Sequence, residues 1–142
     1  MTALLAAAFA LISPDVRNGG RVPQAFVWNR DGCHGGNRTP RLRWTAPPPR
    51  TARLRLTVID YDAPKPGGWV HWRVVDIPAS ARAIGPALPA GATNERNDWG
   101  TIGWGGPCPP PGPAHHYTFA LAALDAHGHV LATARMVALY GR

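Results

Sequence analysis

Residues 52–64 read Ala-Arg-Leu-Arg-Leu-Thr-Val-Ile-Asp-Tyr-Asp-Ala-Pro, and this stretch decides the fold class. Arginine alternates with leucine through residues 53–56, and residues 58 and 59 are both apolar. A period of two is typical of a half-buried β-strand, because successive side chains point to opposite faces. We therefore predict a strand over residues 52–59, with one arginine-bearing face and a buried end.

Further strands are predicted on both sides of this one. The strong candidates are residues 69–77, which stop at Pro78, and 117–124; the weaker ones are 24–28, 41–44 and 130–137. Sixteen glycines and sixteen prolines, many of them between these stretches, punctuate the chain. Residues 130–140 contain alanines and leucines that suit a helix, but their valines and tyrosine favour a strand. The sequence predicts a mostly-β sandwich with long Gly/Pro loops and little helix.

The length of 142 residues is typical of one domain, so we assign residues 1–142 to a single domain. The net charge of +7 favours anionic partners. An arginine face can bind nucleic acid or a membrane surface, although a solvated sheet face is the simpler interpretation; its members are Arg41, Arg43, Arg53, Arg55 and Arg73. The sequence has no recognised nucleic-acid motif, so we expect no specific nucleic-acid partner.

The first twelve residues, MTALLAAAFALI, are apolar. Residues 1–11 either lead into a buried first strand or form a signal-like segment, and the lack of Lys or Arg before the apolar run favours the strand. No apolar run in the sequence approaches the roughly 20 residues of a membrane span. We therefore expect a cytoplasmic protein, and the alternative is a periplasmic or secreted one.

The sequence contains two cysteines, Cys33 and Cys108, which lie far apart. They do not form a CxxC pair, so neither a zinc knuckle nor a thioredoxin motif is predicted. They are either two free thiols or a disulfide between distant loops, and the sequence leaves both alternatives open.

Polar side chains with binding chemistry lie where the predicted strands begin and end. Asp60 and Asp62 follow a strand and can face the same side, although aspartates at such positions more often cap turns. His71 lies inside an apolar strand, opposite its neighbour Trp72, where a packed and hydrogen-bonded histidine is the more common case.

Residues 104–117 begin with a Gly/Pro loop, WGGPCPPPG. Such a loop holds its backbone at little entropic cost and can present amides to an anion. His115 and Tyr117 follow it and share one face of a strand, so an imidazole N–H and a phenol O–H can meet one oxyanion. The sequence has no P-loop of the form G-x-x-x-x-G-K-[ST].

Seven pieces of the sequence occur together in an order typical of one family. They are ISPD with NGG (12–20), GNRTPRLRW (36–44), DYDAP (60–64), WVHW (69–72), NDWG (97–100), GPCPPPG (106–112) and HHY (115–117). On these pieces the chain resembles the phosphatidylethanolamine-binding protein family, in its bacterial Raf-kinase-inhibitor-like branch. The resemblance extends from residue 12 to residue 142.

The resemblance implies an antiparallel, Greek-key β-sandwich with a small pocket for phosphate-like anions, including phospholipid headgroups. Carried over position by position, the pocket residues are Asp60, Asp62, His71, Gly106, Pro109, Pro110, His115 and Tyr117. Two imidazoles, a phenol and loop amides can surround one oxyanion, while the aspartates orient the histidines or bind an amine. We expect no cofactor and no metal at this pocket.

Three departures from the family pattern affect the pocket. Tyr61 replaces a proline and His116 replaces an arginine. A helix-bearing insertion of the family is missing between residues 123–127 and 128–132. We therefore expect a shallower site, or one completed by a second copy in a homodimer.

We expect a binding protein without catalytic activity, whose ligand is a small phosphorylated or carboxylated anion. Analogy with the family adds a kinase or a protease as the target that it modulates. The alternative is a hydrolase, metal-assisted or acid/base, that uses Asp60, Asp62, His71 and His115, since carboxylates and imidazoles are zinc ligands. The sequence has neither an H-E-x-x-H motif nor a serine nucleophile elbow to support it.

Overall fold

The strand predicted at residues 52–59 is one of eight strands in a computed structural model that describes residues 8–142. The strands are β1 (Leu11–Ile12), β2 (Leu42–Trp44), β3 (Arg53–Asp60), β4 (Trp69–Pro78), β5 (Ala83–Ile84), β6 (Thr93–Asn94), β7 (His115–Leu124) and β8 (Val130–Tyr140). The helical content of the described residues is one 3₁₀ turn, Gln24–Phe26. The prediction of a mostly-β chain is confirmed.

β3 occupies the centre of the larger sheet, whose spatial order is β6-β4-β3-β7-β8. The smaller sheet has the order β1-β2-β5, and all strand pairings in both sheets are antiparallel. In chain order the first four strands of the larger sheet are β3, β4, β6 and β7, and in space they lie side by side as β6, β4, β3 and β7. That order defines a Greek key, so the predicted Greek-key sandwich is confirmed.

The alternation in β3 separates the core from the outer face of the sheet. Leu54, Leu56 and Val58 are completely buried, whereas Arg53 and Arg55 are half-buried on the opposite face. Asp60 has the same parity as the three buried residues and is only 4% exposed. The pattern that buries the core therefore also directs a carboxylate inward at the end of β3.

A β-bulge in β4 determines the position of His71. Val58 pairs with Trp72 and Ile59 pairs with Val70, so His71 is an extra residue between two pairs. Both His71 and Trp72 are buried, at 2% and 0% exposure. In a regular strand two consecutive side chains point to opposite faces, so the alternation pattern predicts that only one of His71 and Trp72 is buried. The bulge allows both side chains to be buried.

The predicted strand at residues 24–28 is wrong, because a 3₁₀ turn begins there. The backbone N–H groups of Phe26 and Val27 donate to the carbonyls of Pro23 and Gln24, and these local bonds replace a sheet ladder. β1, β5 and β6 have two residues each, too few for a period to be recognised. β8 extends three residues beyond its predicted end at residue 137.

The N-terminal segment is described only from residue 8 onward. Leu11 of β1 is buried against the core and Ile12 is exposed, so the buried first strand is limited to two residues. The prediction of an extra or signal-like segment at residues 1–11 falls largely on residues 1–7, which lie outside the described residues. Within residues 8–142, no helix is long and apolar enough to cross a membrane.

The predicted arginine face is divided between the two sheets. Arg43 lies in β2 of the smaller sheet, and Arg41, just before β2, is bonded through its guanidinium to Asp15. The other three, Arg53, Arg55 and Arg73, lie in β3 and β4 of the larger sheet. The five arginines therefore do not form one surface.

Cys33 and Cys108 form a disulfide, with their Cα atoms 5.9 Å apart. The sequence left open whether the two cysteines are free thiols or a disulfide, and the structure has the disulfide. It connects the segment after the 3₁₀ turn to the Gly/Pro loop, two parts of the chain that contribute no long strand to either sheet.

The disulfide should provide a large share of the stability. We expect the Cys33→Ser/Cys108→Ser double variant to lose about 4 kcal/mol of unfolding free energy, because the bridge closes a 75-residue loop in the unfolded chain. Urea denaturation of the oxidised protein, the reduced protein and the double variant measures this loss. The reduced protein should match the double variant, and a double variant as stable as the oxidised protein would contradict the expectation.

Candidate functional site

A cavity of about 170 Å³ lies where three neighbouring strands of the larger sheet meet the loops at one end of the sandwich. Asp60, the last residue of β3, pairs with Trp69 on β4 and with Tyr117 on β7. The register alone therefore places three lining residues side by side. The full lining comprises Asp60, Ala63, Pro64, Trp69, His71, Trp99, Cys108, Pro109, Pro110, His115 and Tyr117.

Six of the eight predicted pocket residues line this cavity. They are Asp60, His71, Pro109, Pro110, His115 and Tyr117. Asp62 and Gly106 are not part of the lining. The residue-by-residue prediction missed Ala63, Pro64, Trp69, Trp99 and Cys108, although each lies within one of the seven sequence pieces that carry the family resemblance.

Asp60 and His115 form the most closely bonded polar pair of the cavity. Nδ1 of His115 lies 2.5 Å from Oδ2 of Asp60, and both side chains are mostly buried. The other oxygen, Oδ1, accepts the backbone N–H of Asp62 at 2.9 Å. Asp60 therefore orients an imidazole and also caps the turn after β3, so the functional and the structural interpretation of this aspartate both apply.

Asp62 forms a second pair with His116, outside the cavity. Its Oδ2 accepts the backbone N–H of His116 at 2.7 Å and lies 2.8 Å from Nδ1 of the same residue. These hydrogen bonds from His116 lower the pKa of the Asp62 carboxyl below its ordinary value. Asp62 thus ties the turn after β3 to the start of β7.

His71 is a neutral and rigidly held member of the lining. Its Nδ1 lies 2.6 Å from the carbonyl oxygen of Gly105, and a carbonyl can only accept, so Nδ1 carries the proton. Burial lowers the pKa of His71 to about 4, with the Gly105 bond and the charge of Asp60 opposing the shift. The ring also packs edge-on against Tyr117. His71 is therefore a packed and hydrogen-bonded histidine, as is common inside strands. Its ring also lines the cavity, and its second nitrogen, Nε2, carries no proton.

Gly106 has a structural role that differs from the predicted one. Its backbone N–H donates to Oδ1 of Asn37 at 2.8 Å, so this amide is not available to an anion. A Cβ at this position would lie 2.2 Å from the carbonyl oxygen of Phe26. Glycine is required because two loops cross in contact at Gly106.

Pro109 and Pro110 form one wall of the cavity, and three bonds anchor it. The disulfide holds the preceding Cys108, and the carbonyl of Pro107 accepts the N–H of Trp28. The carbonyl of Pro109 accepts a hydrogen bond from the Arg142 guanidinium at 2.7 Å. The wall is therefore fixed from both sides.

Trp69 and Trp99 form an aromatic part of the lining. Trp69 meets Trp99 edge-on, and Trp99 stacks on Trp28 with ring centroids 4.6 Å apart. The indole N–H of Trp99 donates to the carbonyl of Gly106. Trp99 is thereby held by contacts to both neighbouring loops.

Two hydrogen-bond donors of the lining have no partner among the described residues. They are Nε1 of Trp69 and Oη of Tyr117, and both atoms are buried. Burial, followed by the charges of Asp60 and Asp62, raises the pKa of Tyr117 far above its ordinary value, so the phenol keeps its proton. Buried donors without a partner are rare in native proteins and usually indicate a bound water, ion or ligand. Within residues 8–142, no group of three or more His, Cys, Asp or Glu side chains is arranged to hold a metal ion.

The shortened segment between β7 and β8 lies away from the cavity. It follows Leu124, whereas His115 is at the other end of the ten-residue strand β7. At about 3.4 Å per residue, the two ends are roughly 30 Å apart. The shortened segment is therefore at the opposite end of β7 from the cavity, and the expectation of a shallower site, or one completed by a second copy, stays a prediction.

The fold is thus a mostly-β Greek-key sandwich with a small cavity at one end. The phosphatidylethanolamine-binding protein family model matches residues 12–140. The chain belongs to this family, as the sequence resemblance predicted, and family membership supports a binding-protein role.

Several relatives agree with this assignment. The chain is 43% identical to UPF0098 protein YbcL of Escherichia coli over 84% of its own length and 70% of that protein. The crystal structure of E. coli YbcL superposes with a TM-score of 0.88 at 35% identity, covering 96% of this chain and 99% of the other. A Chlamydia trachomatis homologue, CT736, has a TM-score of 0.79 at 27% identity, covering 95% and 98%. A Mycobacterium tuberculosis protein named putative lipoprotein LppC is 39% identical over 78% of this chain and 53% of its own length.

The buried neutral His71 should make stability depend on pH. Its pKa is about 4 in the folded protein and about 6.5 when unfolded, so its contribution is complete above pH 6.5 and is lost as the pH falls toward 4. We expect the free energy of unfolding to fall by about 2 kcal/mol between pH 7 and pH 5, with the slope approaching about 1.4 kcal/mol per pH unit below pH 6.5. Urea denaturation across this range measures the slope. His71→Gln should lose most of it, and an equal slope in the variant would assign the effect to other groups.

Proposed function

We propose that the cavity binds a small oxyanion, a phosphate or a group like a phospholipid headgroup, without turning it over. The observation that carries this proposal is the pair of buried donors without partners, the Trp69 indole N–H and the Tyr117 hydroxyl, on one cavity. An acceptor in the cavity that comes within hydrogen-bond distance of either atom would satisfy that donor. A buried donor that stays unsatisfied costs about 1–3 kcal/mol, and that cost is recovered on binding.

The remaining polar groups of the cavity suit the same ligand. His115 is oriented by Asp60, so its Nε2 has a fixed direction and, when protonated, adds a third donor. A pair of this kind stabilises an imidazolium next to an oxyanion. The binding energy would thus come from hydrogen bonds of defined direction rather than from a cluster of arginines.

The apolar rim suits a substituent on the oxyanion. The cavity surface is mostly apolar, and Ala63, Pro64, Pro109 and Pro110 are among the residues that line it. A volume of about 170 Å³ exceeds that of a single water, whose share of the liquid is about 30 Å³. A phosphate with a small organic group therefore suits the site better than a bare ion alone.

Tyr117→Phe tests the proposal directly, because it removes one donor and leaves the shape unchanged. We expect the affinity for phosphate or phosphoethanolamine to fall about tenfold, the loss of one hydrogen bond to a charged acceptor. The stability of the ligand-free variant should be equal to or about 1 kcal/mol above that of the parent, because an unsatisfied buried hydroxyl disappears. Titration calorimetry and denaturation at fixed ionic strength provide the two measurements.

Tyr140→Phe is the matched control. Oη of Tyr140 bonds to Oε1 of Gln24 and is not part of the cavity lining, so this variant should lose about 1 kcal/mol of stability and keep its affinity. Equal affinities of the parent and Tyr117→Phe would contradict the proposed role of Tyr117. An absence of binding by the parent at millimolar ligand would contradict the proposed function.

The Asp60–His115 pair also favours a second candidate, an acid/base hydrolase, since a carboxylate-oriented imidazole is the usual general base. Against it, the cysteine of the lining, Cys108, is oxidised and the described lining contains no serine or threonine. We expect no hydrolysis of 4-nitrophenyl phosphate or acetate above the buffer rate, and no difference between the parent and His115→Gln. A rate that His115→Gln abolishes would make the hydrolase the better assignment.

The disulfide supports the periplasmic or secreted alternative over a cytoplasmic location, because such bonds persist in oxidising compartments. The lipoprotein name of the mycobacterial relative points the same way. Modulation of a kinase or a protease stays a prediction from the family resemblance, and pairing into a homodimer stays a prediction from the missing insertion.

A further inference from the structure

We propose that the cavity selects an oxyanion that brings one proton of its own, the monoanion of a phosphate monoester, over the fully ionised dianion. The inference rests on the proposed oxyanion site. It follows from two features of the lining, its charge balance and the fixed orientation of His71.

The charges of the site are already paired before any ligand enters. The described cavity lining contains neither Lys nor Arg, and its permanent charge is the carboxylate of Asp60. His115 can contribute at most one positive charge, which Asp60 balances. A dianion would therefore add two charges to a cavity that can offer no net positive charge, and uncompensated charge away from water is expensive.

Two of the basic side chains near the cavity are already bonded to carboxylates. Lys65 is bonded to Asp98 at 2.7 Å, and His116 is bonded to Asp62 at 2.8 Å. Each pair is neutral or negative as a unit. Arg142 donates to the carbonyl of Pro109 and has no carboxylate partner among the described residues, but it is not part of the cavity lining. The lining itself therefore still offers no net positive charge.

His71 adds a requirement for a donor on the ligand. Because its Nδ1 proton is committed to the carbonyl of Gly105, the neutral ring offers a lone pair at Nε2. A fully ionised phosphate would place acceptor oxygens against this lone pair. The P–O–H group of a monoanion would instead donate to Nε2, while its other oxygens accept from the hydroxyl of Tyr117 and the indole of Trp69.

The lining therefore matches a ligand with one donor and several acceptors. Neutral His71 requires the donor, and Tyr117 and Trp69 require the acceptors. A phosphate monoester below its second pKa, about 6, has this arrangement. A phosphodiester has the same single charge without the proton, and sulfate has two charges without the proton.

Calorimetric titrations with methyl phosphate, dimethyl phosphate and sulfate between pH 5 and pH 8 test the inference. Dimethyl phosphate has no proton to lose in this range, so its pH profile reports the protein groups alone. We expect the affinity ratio of methyl to dimethyl phosphate to exceed one at pH 5 and to fall about tenfold per pH unit above pH 6. Sulfate should bind most weakly at every pH.

A ratio that is independent of pH, or that rises with pH, would overturn the proton requirement while leaving the oxyanion site itself in place. Sulfate binding as tightly as methyl phosphate at pH 5 would overturn the charge argument in the same way. The absence of binding by all three ligands at every pH would instead overturn the proposed function, and the inference with it.

Discussion

The pairing of Asp60 with a residue on each side is the constraint on which the site depends. β3 is the central strand, so its last residue has a neighbour on β4 and another on β7, Trp69 and Tyr117. The alternation that buries the leucines of β3 also turns the carboxylate of Asp60 inward, where it orients His115. A shift of one residue in this register would move the whole polar set to the opposite face of the sheet. The register of β3 with its two neighbours therefore determines both the core packing and the geometry of the site.

The loops that close the cavity are held by close contact rather than by secondary structure. Cβ atoms at Gly35 and Gly106 would lie 2.1 Å and 2.2 Å from backbone oxygens, so both positions require glycine. The disulfide, the amide of Asn37 and the guanidinium of Arg142 join the same loops. A cavity with rigid walls keeps its donors in place without a ligand, and this preorganisation lowers the entropic cost of binding.

Six of the residues that line the cavity were predicted through the family resemblance, whereas the long strands could be predicted because period-two alternation is a local signal. The strand at residues 117–124 and the positions of His115 and Tyr117 on one face are examples. The bulge at His71 could not be predicted, since it depends on how β3 pairs with β4. The engaged amide of Gly106 likewise depends on a contact between segments distant in sequence. The prediction of one arginine face was wrong for the same reason, because the sequence pattern does not show which strands share a sheet. The 3₁₀ turn at Gln24–Phe26 is local, but its three residues are too few to give a recognisable period.

The indole N–H resonance of Trp69 gives the most direct test of the central claim, that the partnerless donors of the cavity bind an oxyanion. In ¹⁵N-labelled protein titrated with methyl phosphate at pH 5.5, the Trp69 signal should move downfield and saturate as its Nε1 gains an acceptor. The signals of Trp44 and Trp72, whose indoles already donate to Ala81 and Asn94, should stay in place. A Trp69 signal that does not move at millimolar ligand, or that moves no more than these two controls, would contradict the account.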